Sequence, residues 1–457
     1  MLIRIFEEIK KSLHLAIPFI AAEFLFAFST VAATAMAAHL GKVQLAANAL
    51  AWGIYITIMV FFMGLYSAVS IMTAQSYGAK EHRAVGIVFK QGLMLSIICS
   101  IPMLLVFLLA TKLFYLTGQN PAVIHYATPF FISLAWSVLP FSLLFVMEQL
   151  LVGIGKARVV TFMSMLQLLL EVVFFYLFVF GKFGLPALGL PAIGYGIVFA
   201  NTILTIGFAV YLTLNNRFKC YQLFNNWWVI NRKFLFELFR VGLPLAFIYC
   251  IEVALFGTLP FLMGKLGVAN LGAYQIGYQF WLIALTMLFG LSQTATVRVG
   301  YEVGRNDKNS ILFATYTNIG IGLVFALVFI VLYTKFAGFL VQLDLAKHIK
   351  ANKAVFDLAV KFLGIIAIVL LGDSFRLISL GALRGMKDTK FPIVASVVGF
   401  WVIAFPLGYW FAFPCHYGGS GIFWGMVIGL FIGGVILFAR FHYLINRVDL
   451  EALVTRE

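Results

Sequence analysis

Residues 249–267 read YCIEVALFGTLPFLMGKLG, and they place one carboxylate, Glu252, inside an otherwise apolar run. Between Arg240 and Lys265 no other charged residue occurs. About 20 predominantly apolar residues are enough to cross a bilayer as an α-helix. The stretch therefore predicts a membrane-spanning helix, and it raises the question of what an acid does inside it.

The composition of the whole chain extends this prediction. The chain has 457 residues, of which 63% are hydrophobic and 11% are charged, whereas soluble domains are about half apolar and a quarter charged. Lipid cannot hydrogen-bond open backbone groups, so spans of this kind should be helices. We predict an all-α polytopic membrane protein with twelve spans, at 13–36, 46–75, 86–111, 122–152, 158–181, 190–214, 238–264, 270–298, 311–335, 355–383, 391–413 and 419–445.

The net charge of +15 is explained by the positions of the basic residues. Of the 32 lysines and arginines, 22 fall at the two termini and in the even-numbered loops, and nine fall in the odd-numbered loops. Cytoplasmic loops carry an excess of lysine and arginine. The distribution predicts that both termini are cytoplasmic, and it removes the need for a nucleic-acid partner.

The sequence contains few signs of cofactor or catalytic chemistry. Its four cysteines are scattered without the spacing of a disulfide framework or a zinc site. It has no HExxH, GxSxG or Walker A motif. We therefore expect no enzyme activity and no bound cofactor, and we expect that an ion gradient supplies any driving force.

An internal repeat appears when the sequence is displaced against itself by 226 residues. Pro18 then falls on Pro244 and Gly78 on Gly304. Matches at proline and glycine in register with loop ends carry more information than apolar matches do in this composition. The repeat predicts an N-terminal lobe at 1–214, a cytoplasmic linker at 215–237 and a C-terminal lobe at 238–457.

Six helices in each half leave both halves in the same orientation, so the repeat is parallel. Parallel repeats of this type build transporters in which one half moves against the other around a central cavity. A channel or receptor would not need two such halves. Because one chain holds both halves, we expect a monomer surrounded by membrane lipids.

The acids inside the predicted helices are candidate functional residues, because a charge at mid-bilayer costs roughly 2.5–3.5 kcal/mol on insertion scales. Glu252 and Asp373 both lie near the midplane and in the same half. They are predicted to bind a proton or a cation, the alternative being a structural hydrogen bond between helices. Arg376 follows Asp373 by three residues on the same helix face, and it either modulates this site or simply neutralises Asp373.

The other half carries three acids in its helices, Glu23, Glu148 and Glu171. Glu23 and Glu171 lie well inside the first and fifth predicted helices, where each is either a second proton or substrate site or a hydrogen-bonding group between helices. Glu148 is eight residues from Lys156, close to the cytoplasmic side, and is interpreted as structural.

The chain contains the segments AQSYGAKEH (74–82), FRVGLP (239–244), RVGYEVGRND (298–307), GALRGMKDTKFP (381–392) and FGKFG (180–184). The first four resemble the multidrug and toxic compound extrusion (MATE) family, and with the fifth they look most like its bacterial NorM-type branch. The resemblance covers essentially the whole chain. It implies a V-shaped pair of six-helix lobes in the bacterial cytoplasmic membrane and export of organic cations in exchange for H⁺ or Na⁺. It also implies that Glu252 and Asp373 bind the coupling ion, with Na⁺ as the one candidate metal, and that Gln275 lies near the cavity.

Three positions depart from the pattern that the resemblance implies. Ala33 stands where many members carry an aspartate late in the first helix, and Val369 stands where similar sequences carry a tyrosine. Arg376 stands where a neutral polar residue is common, and its positive charge disfavours Na⁺ nearby. A flippase or exporter of lipid or lipid-linked saccharide is the alternative, since related two-lobed exporters carry such cargo.

Overall fold

The computed structural model describes residues 2–116, 118–184, 186–345 and 353–455. Residues 346–352 of the predicted loop between the ninth and tenth spans lie outside this description. The α-helices of the described residues are, in chain order, α1 (Leu2–Leu40), α2 (Lys42–Tyr66), α3 (Ala68–Gly78), α4 (His82–Leu116), α5 (Pro121–Ala135), α6 (Val138–Gly153), α7 (Ala157–Phe180), α8 (Pro191–Leu214), α9 (Arg232–Lys265), α10 (Val268–Gly304), α11 (Lys308–Lys335), α12 (Ala337–Leu345), α13 (Lys353–Gly385), α14 (Lys390–Ser396), α15 (Phe405–Ala412), α16 (Gly419–Arg447) and α17 (Leu450–Leu453). A π-helical segment, Val397–Ala404, joins α14 to α15.

The number of membrane-spanning segments agrees with the sequence prediction. Among the described residues, 11 helices are long and apolar enough to cross a membrane. Helices α5 and α6 form a pair bent by 48°, and if this pair is one further span the number rises to 12. The all-α, twelve-span prediction is therefore confirmed. Pro140 explains the bend. In a continuous helix its ring would clash with the carbonyl of Trp136, four positions earlier, and Trp136 lies at the break between α5 and α6.

The described chain divides into two compact units. Unit 1 contains the residues up to Ile20 and Phe247–Leu453, and unit 2 contains Ala21–Ala246 and the residues from Val454 onward. The two boundaries, after residues 20 and 246, are 226 residues apart, which is the offset of the sequence repeat. The contacts divide the chain inside α1 and inside α9. The predicted lobes at 1–214 and 238–457, with a linker at 215–237, stay a prediction.

The beginning of α1 belongs to unit 1 because it is bound there by ion pairs and close packing. Arg298 donates two hydrogen bonds to Glu8, at 2.7 and 2.8 Å, and a third to Glu302 at 2.9 Å. A Cβ added to Gly290 would lie 2.9 Å from the backbone nitrogen of Ile20. Glycine at this position lets α10 approach the backbone of α1.

Glycines let the helices of unit 1 approach one another closely, as small residues do at helix interfaces in membranes. A Cβ on Gly381 of α13 would lie 2.4 Å from the carbonyl oxygen of Ser292, on α10. A Cβ on Gly429 of α16 would lie 2.3 Å from the carbonyl oxygen of Gly399 in the π segment. The backbone of α10 therefore packs closely on that of α13. The backbone of the π segment packs closely on that of α16.

The predicted linker is bonded to α4 within unit 2. Lys90 donates to the carbonyl of Asn225 at 2.8 Å. Gln91 donates to the carbonyl of Val229 at 2.9 Å and accepts from the backbone nitrogen of Asn231 at 3.1 Å. These bonds hold residues 225–231 of the linker along α4.

Candidate functional site

Three of the residues predicted from the sequence are in direct contact in unit 1. Arg376 Nη1 donates to Oε1 of Glu252 at 2.6 Å. Its Nε and Nη2 both donate to Oδ1 of Asp373, at 3.2 and 3.0 Å. Glu252 lies on α9, whereas Asp373 and Arg376 lie on α13. The guanidinium therefore ties the two helices together and pairs with both acids rather than with Asp373 alone.

Helix α10 adds a hydrogen bond to the outer side of this group. Trp281 Nε1 donates to Oδ2 of Asp373 at 3.3 Å, and the indole is fully buried. Both oxygens of Asp373 thus accept hydrogen bonds from neutral or positive donors. The close packing of α10 against α13 at the glycines described above is what brings the indole within reach.

The π-helical segment covers the guanidinium from another side. The centre of the Phe400 ring lies 4.7 Å from Cζ of Arg376, within the range of a cation–π contact. The next residue, Trp401, donates its Nε1 to the carbonyl of Ile251 at 3.3 Å, next to Glu252 on α9. Two consecutive aromatic residues therefore contact α13 and α9, and single-turn π-helices frequently occur at functional sites.

The acids and the arginine are removed from solvent, with exposed fractions of 4% for Glu252, 0% for Asp373 and 3% for Arg376. A buried charge is tolerated when it is paired and hydrogen-bonded, as each of these is. Two carboxylates and one guanidinium carry a net charge of −1 when all three are ionised. The group can accept one proton, or one further positive charge, before it becomes neutral.

Sequence reasoning missed the aromatic part of this site. Nothing in the sequence distinguishes Trp281, Phe400 or Trp401 from the other aromatic residues, since the chain has 49 phenylalanines and eight tryptophans. The resemblance implies that Gln275 lies near the cavity, which stays a prediction. Gln275 is exposed on α10, six residues before Trp281, and it makes none of the hydrogen bonds found around the two acids.

A second polar cluster lies in unit 2 around Glu171, which is almost fully buried. Ser29, on α1, donates its hydroxyl to one carboxylate oxygen. Gln167, one turn earlier on α7, donates to the other oxygen at 3.0 Å and also lies 3.1 Å from Oδ1 of Asn201, on α8. The side-chain nitrogen of Asn201 is buried and makes no hydrogen bond with the described residues.

Glu23 and Glu148 are not part of that cluster. Glu23 is exposed on α1, and Glu148 is partly exposed on α6. The two acids lie close enough to interact electrostatically. The structure therefore brings Glu171 into a hydrogen-bonded group and leaves Glu23 outside it, although the sequence makes both of them candidate proton or substrate sites.

A model of the MatE family matches residues 18–177 and 244–410, well over half of the chain. The chain belongs to the MatE family. It is 31% identical over 442 residues to a probable multidrug resistance protein NorM of Agrobacterium fabrum, covering 97% of this chain and 95% of that protein. It is 30% identical over 435 residues to the multidrug resistance protein NorM of Burkholderia vietnamiensis, covering 94% and 92%.

Solved MATE structures share this fold. A eukaryotic MATE transporter, AtDTX14, superposes with a TM-score of 0.83 at 20% identity and covers 98% of both chains. A MATE in the bent conformation superposes with a TM-score of 0.87 at 18% identity and covers 97% of this chain and 96% of the other. The predicted resemblance to MATE transporters is confirmed, and this family of multi-pass membrane transporters is not a family of enzymes.

Two of the departures from the MATE pattern can now be placed in the structure. Ala33 is buried on α1, and Ser29 lies four residues before it, hence on the same helix face. The polar group that this face directs to Glu171 is therefore the hydroxyl of Ser29. Val369 is fully buried one turn before Asp373, and its side chain has no oxygen that could bind an ion.

Proposed function

We propose that this MatE-family protein exports small organic cations from the cytoplasm in exchange for H⁺ or Na⁺, by alternating access. The names of its relatives, which are called multidrug resistance proteins, support the substrate class. The proposal requires no bound cofactor, only the coupling ion. It places the protein in the bacterial cytoplasmic membrane as a monomer.

The observation that carries the proposal is the shared contact of Glu252 and Asp373 with Arg376. A proton or cation that reaches this ionised group changes its charge from −1 to 0. The change weakens the attraction between α9 and α13, because Arg376 bridges Glu252 on one helix and Asp373 on the other. An ion that binds one access state better than the other shifts the equilibrium between them by that difference in affinity.

The distribution of basic residues supports the orientation, with both termini in the cytoplasm. It also accounts for the positive charge without a nucleic-acid partner. In this proposal membrane lipids surround the spans, since 11 helices and one bent pair among the described residues are long and apolar enough to cross a bilayer.

Export of a lipid or lipid-linked saccharide is less well supported. A cavity for a pyrophosphate would need basic groups that are free to bind it. The guanidinium of Arg376 is instead committed to two carboxylates and to the ring of Phe400.

Glu171 is proposed as a second protonatable site, in unit 2. Its support is the buried carboxylate that accepts hydrogen bonds from Ser29 and Gln167. A carboxylate held by two uncharged donors gains no compensating positive charge from them, and a proton would neutralise it. Glu23 is a weaker candidate for proton or substrate binding, since it is exposed and lies outside this cluster.

The test is dye transport into inverted membrane vesicles under a proton gradient or a Na⁺ gradient. Wild type is compared with Glu252→Gln and Asp373→Asn. The matched controls are Glu237→Gln, on α9 beside exposed Arg240, and Asp357→Asn, which is exposed on α13. We expect gradient-driven uptake of ethidium in wild type and both controls and its loss in both site variants. Uptake that survives in the site variants would contradict the assignment of the coupling site.

A further inference from the structure

We infer that this protein is coupled to protons and not to Na⁺, because the guanidinium of Arg376 occupies the space between Glu252 and Asp373. The inference rests on the proposed antiport function and concerns the identity of its coupling ion. In this reading the guanidinium is the resident cation of the site, and the proton is the only cation that the site exchanges.

Most carboxylate oxygens of Glu252 and Asp373 already accept hydrogen bonds. Arg376 bonds Oε1 of Glu252 and bonds Oδ1 of Asp373 twice. Trp281 bonds Oδ2 of Asp373. Three of the four oxygens therefore accept hydrogen bonds from the protein, and a hard cation, which is held by several oxygen atoms, would have to displace these donors.

The guanidinium is held in place by groups that are not acids. Phe400 lies against its face at 4.7 Å. A Cβ on Gly434 of α16 would lie 3.3 Å from the backbone nitrogen of Arg376, and one on Gly433 would lie 3.8 Å from its Cδ. The two glycines therefore let α16 pack close to the backbone and stem of Arg376, with the Phe400 ring against the guanidinium.

The charges around the two acids favour the same ion. The neighbouring elements contribute uncharged groups: α10 contributes Trp281 and Tyr278, the π segment contributes Phe400 and Trp401, α16 contributes glycines, and α11 places Gly322 against Ser374. Among the described residues, Arg376 is the cation in contact with the acids. A Na⁺ ion at this site would sit beside that positive charge, whereas a proton adds to a carboxylate oxygen and forms a covalent O–H bond.

A proton on Glu252 would also have a defined structural consequence. It removes the negative charge from the 2.6 Å contact between α9 and α13. Arg376 keeps its two bonds to Asp373, which lies three residues away on the same helix. Protonation would thus weaken the contact between α9 and α13, while the charge of Arg376 stays neutralised by Asp373 within α13.

The test uses the purified full-length protein in proteoliposomes, with tetraphenylphosphonium as the transported cation. A pH gradient at equal Na⁺ and a Na⁺ gradient at equal pH are applied separately to wild type and to Glu252→Gln. We expect uptake with the pH gradient alone, no change when Na⁺ replaces K⁺, and loss in Glu252→Gln. Uptake driven by the Na⁺ gradient and lost in Glu252→Gln would overturn this inference but leave the antiport function standing. The absence of uptake under both gradients would contradict the antiport function itself. Uptake driven by the pH gradient that Glu252→Gln retains in full would overturn the assignment of Glu252 as the proton site and leave the antiport function standing.

Radioactive Na⁺ binding to the detergent-solubilised protein provides a second readout that does not need transport. Removing the resident cation with Arg376→Gln should create Na⁺ binding that wild type lacks, since two carboxylates then face each other without a positive charge. Arg376→Lys keeps the charge and should remain without Na⁺ binding. Saturable Na⁺ binding to wild type that Glu252→Gln abolishes would overturn the inference.

Discussion

Arg376 and Glu252 are joined by a 2.6 Å contact between α13 and α9, and both side chains are almost completely buried. The same guanidinium also holds Asp373 at 3.0 Å. Removing one partner of such a group costs more than the bond itself is worth, because it leaves the other charges buried without compensation. The stability of unit 1 and the proposed coupling of the transporter therefore depend on the same three side chains.

Replacing Arg376 with glutamine is expected to destabilise the protein by about 3–5 kcal/mol, the usual cost of breaking a buried ion pair from one side. The double variant Arg376→Gln with Glu252→Gln should recover part of this loss, because it removes one of the two uncompensated carboxylates. Thermal unfolding in detergent measures both. Arg240→Gln is the matched control, since Arg240 is 58% exposed and its pair with Glu237 is 3.8 Å long, so that it should cost about 0–1 kcal/mol. Equal effects of Arg376→Gln and Arg240→Gln would contradict the expectation.

Replacing Phe400 with leucine removes the ring from the guanidinium of Arg376. A desolvated cation–π contact contributes about 0.5–2 kcal/mol, so we expect a loss of stability in this range and a change in the pH profile of transport. Phe261→Leu, on the exposed side of α9, serves as the control and should leave the pH profile unchanged. If Phe400→Leu lowered stability without moving the pH profile, its ring would act in packing alone.

Replacing Gly381 with alanine should separate α13 from α10, because the new Cβ would lie 2.4 Å from the backbone carbonyl of Ser292. A backbone atom cannot rotate away as a side chain can, and overpacking typically costs about 1–3 kcal/mol. Gly364→Ala is the control on the same helix, since nothing lies within 4 Å of its Cβ position. Thermal unfolding of the two variants tests the close approach, and a Gly381→Ala variant as stable as Gly364→Ala would show that the helices do not meet there.

Glu171 in unit 2 can be tested with two substitutions that differ in hydrogen bonding. Glu171→Leu leaves the donors of Ser29 and Gln167 unpaired, at a cost of about 1–3 kcal/mol for each buried group. Glu171→Gln keeps an oxygen for them and should be more stable. If Glu171 also takes up a proton during transport, Glu171→Gln will fold normally and still lose proton-driven dye uptake. Normal uptake by a stable Glu171→Gln would assign the residue a structural role only.

Asp307 at the beginning of α11 predicts a pH-dependent contribution to stability. Its carboxylate accepts from the hydroxyl of Ser310 at 2.7 Å and from the backbone nitrogen of Ser310 at 3.0 Å, and these bonds lower the pKa of Asp307 below its usual value. A lowered folded-state pKa means that the stabilisation is present above the unfolded-state pKa, near 3.9, and disappears as the pH falls through the folded-state value. Asp307→Ala should lower stability by about 0.5–2 kcal/mol near neutral pH, and the difference from wild type should shrink towards pH 3. A difference independent of pH would contradict this account.

The membrane-spanning architecture was readable from the sequence because bilayer thickness and the polarity of the backbone dictate the length and composition of each span. The same argument singled out Glu252, Asp373 and Arg376, since charges are rare and costly at such depths. The length, composition and charge of a segment can be read from the linear sequence, and they do not depend on which helices lie next to it. The π-helical segment inside the eleventh span, Val397–Ala404, could not be foreseen, because its residues are as apolar as those of an ordinary helix.

The partners of the acids were decided by the tertiary structure. Arg376 and Asp373 are neighbours on one helix, which spacing alone predicts, but the contact of Arg376 with Glu252 joins residues 124 positions apart. Trp281 and Phe400 reach the group only because glycines let α10 approach α13 and let α16 approach the π segment. In the same way, Ser29 meets Glu171 across 142 positions. Hydropathy and charge along the chain determine which segments enter the membrane and which charges enter with them, whereas helix packing determines which groups from other helices pair with those charges.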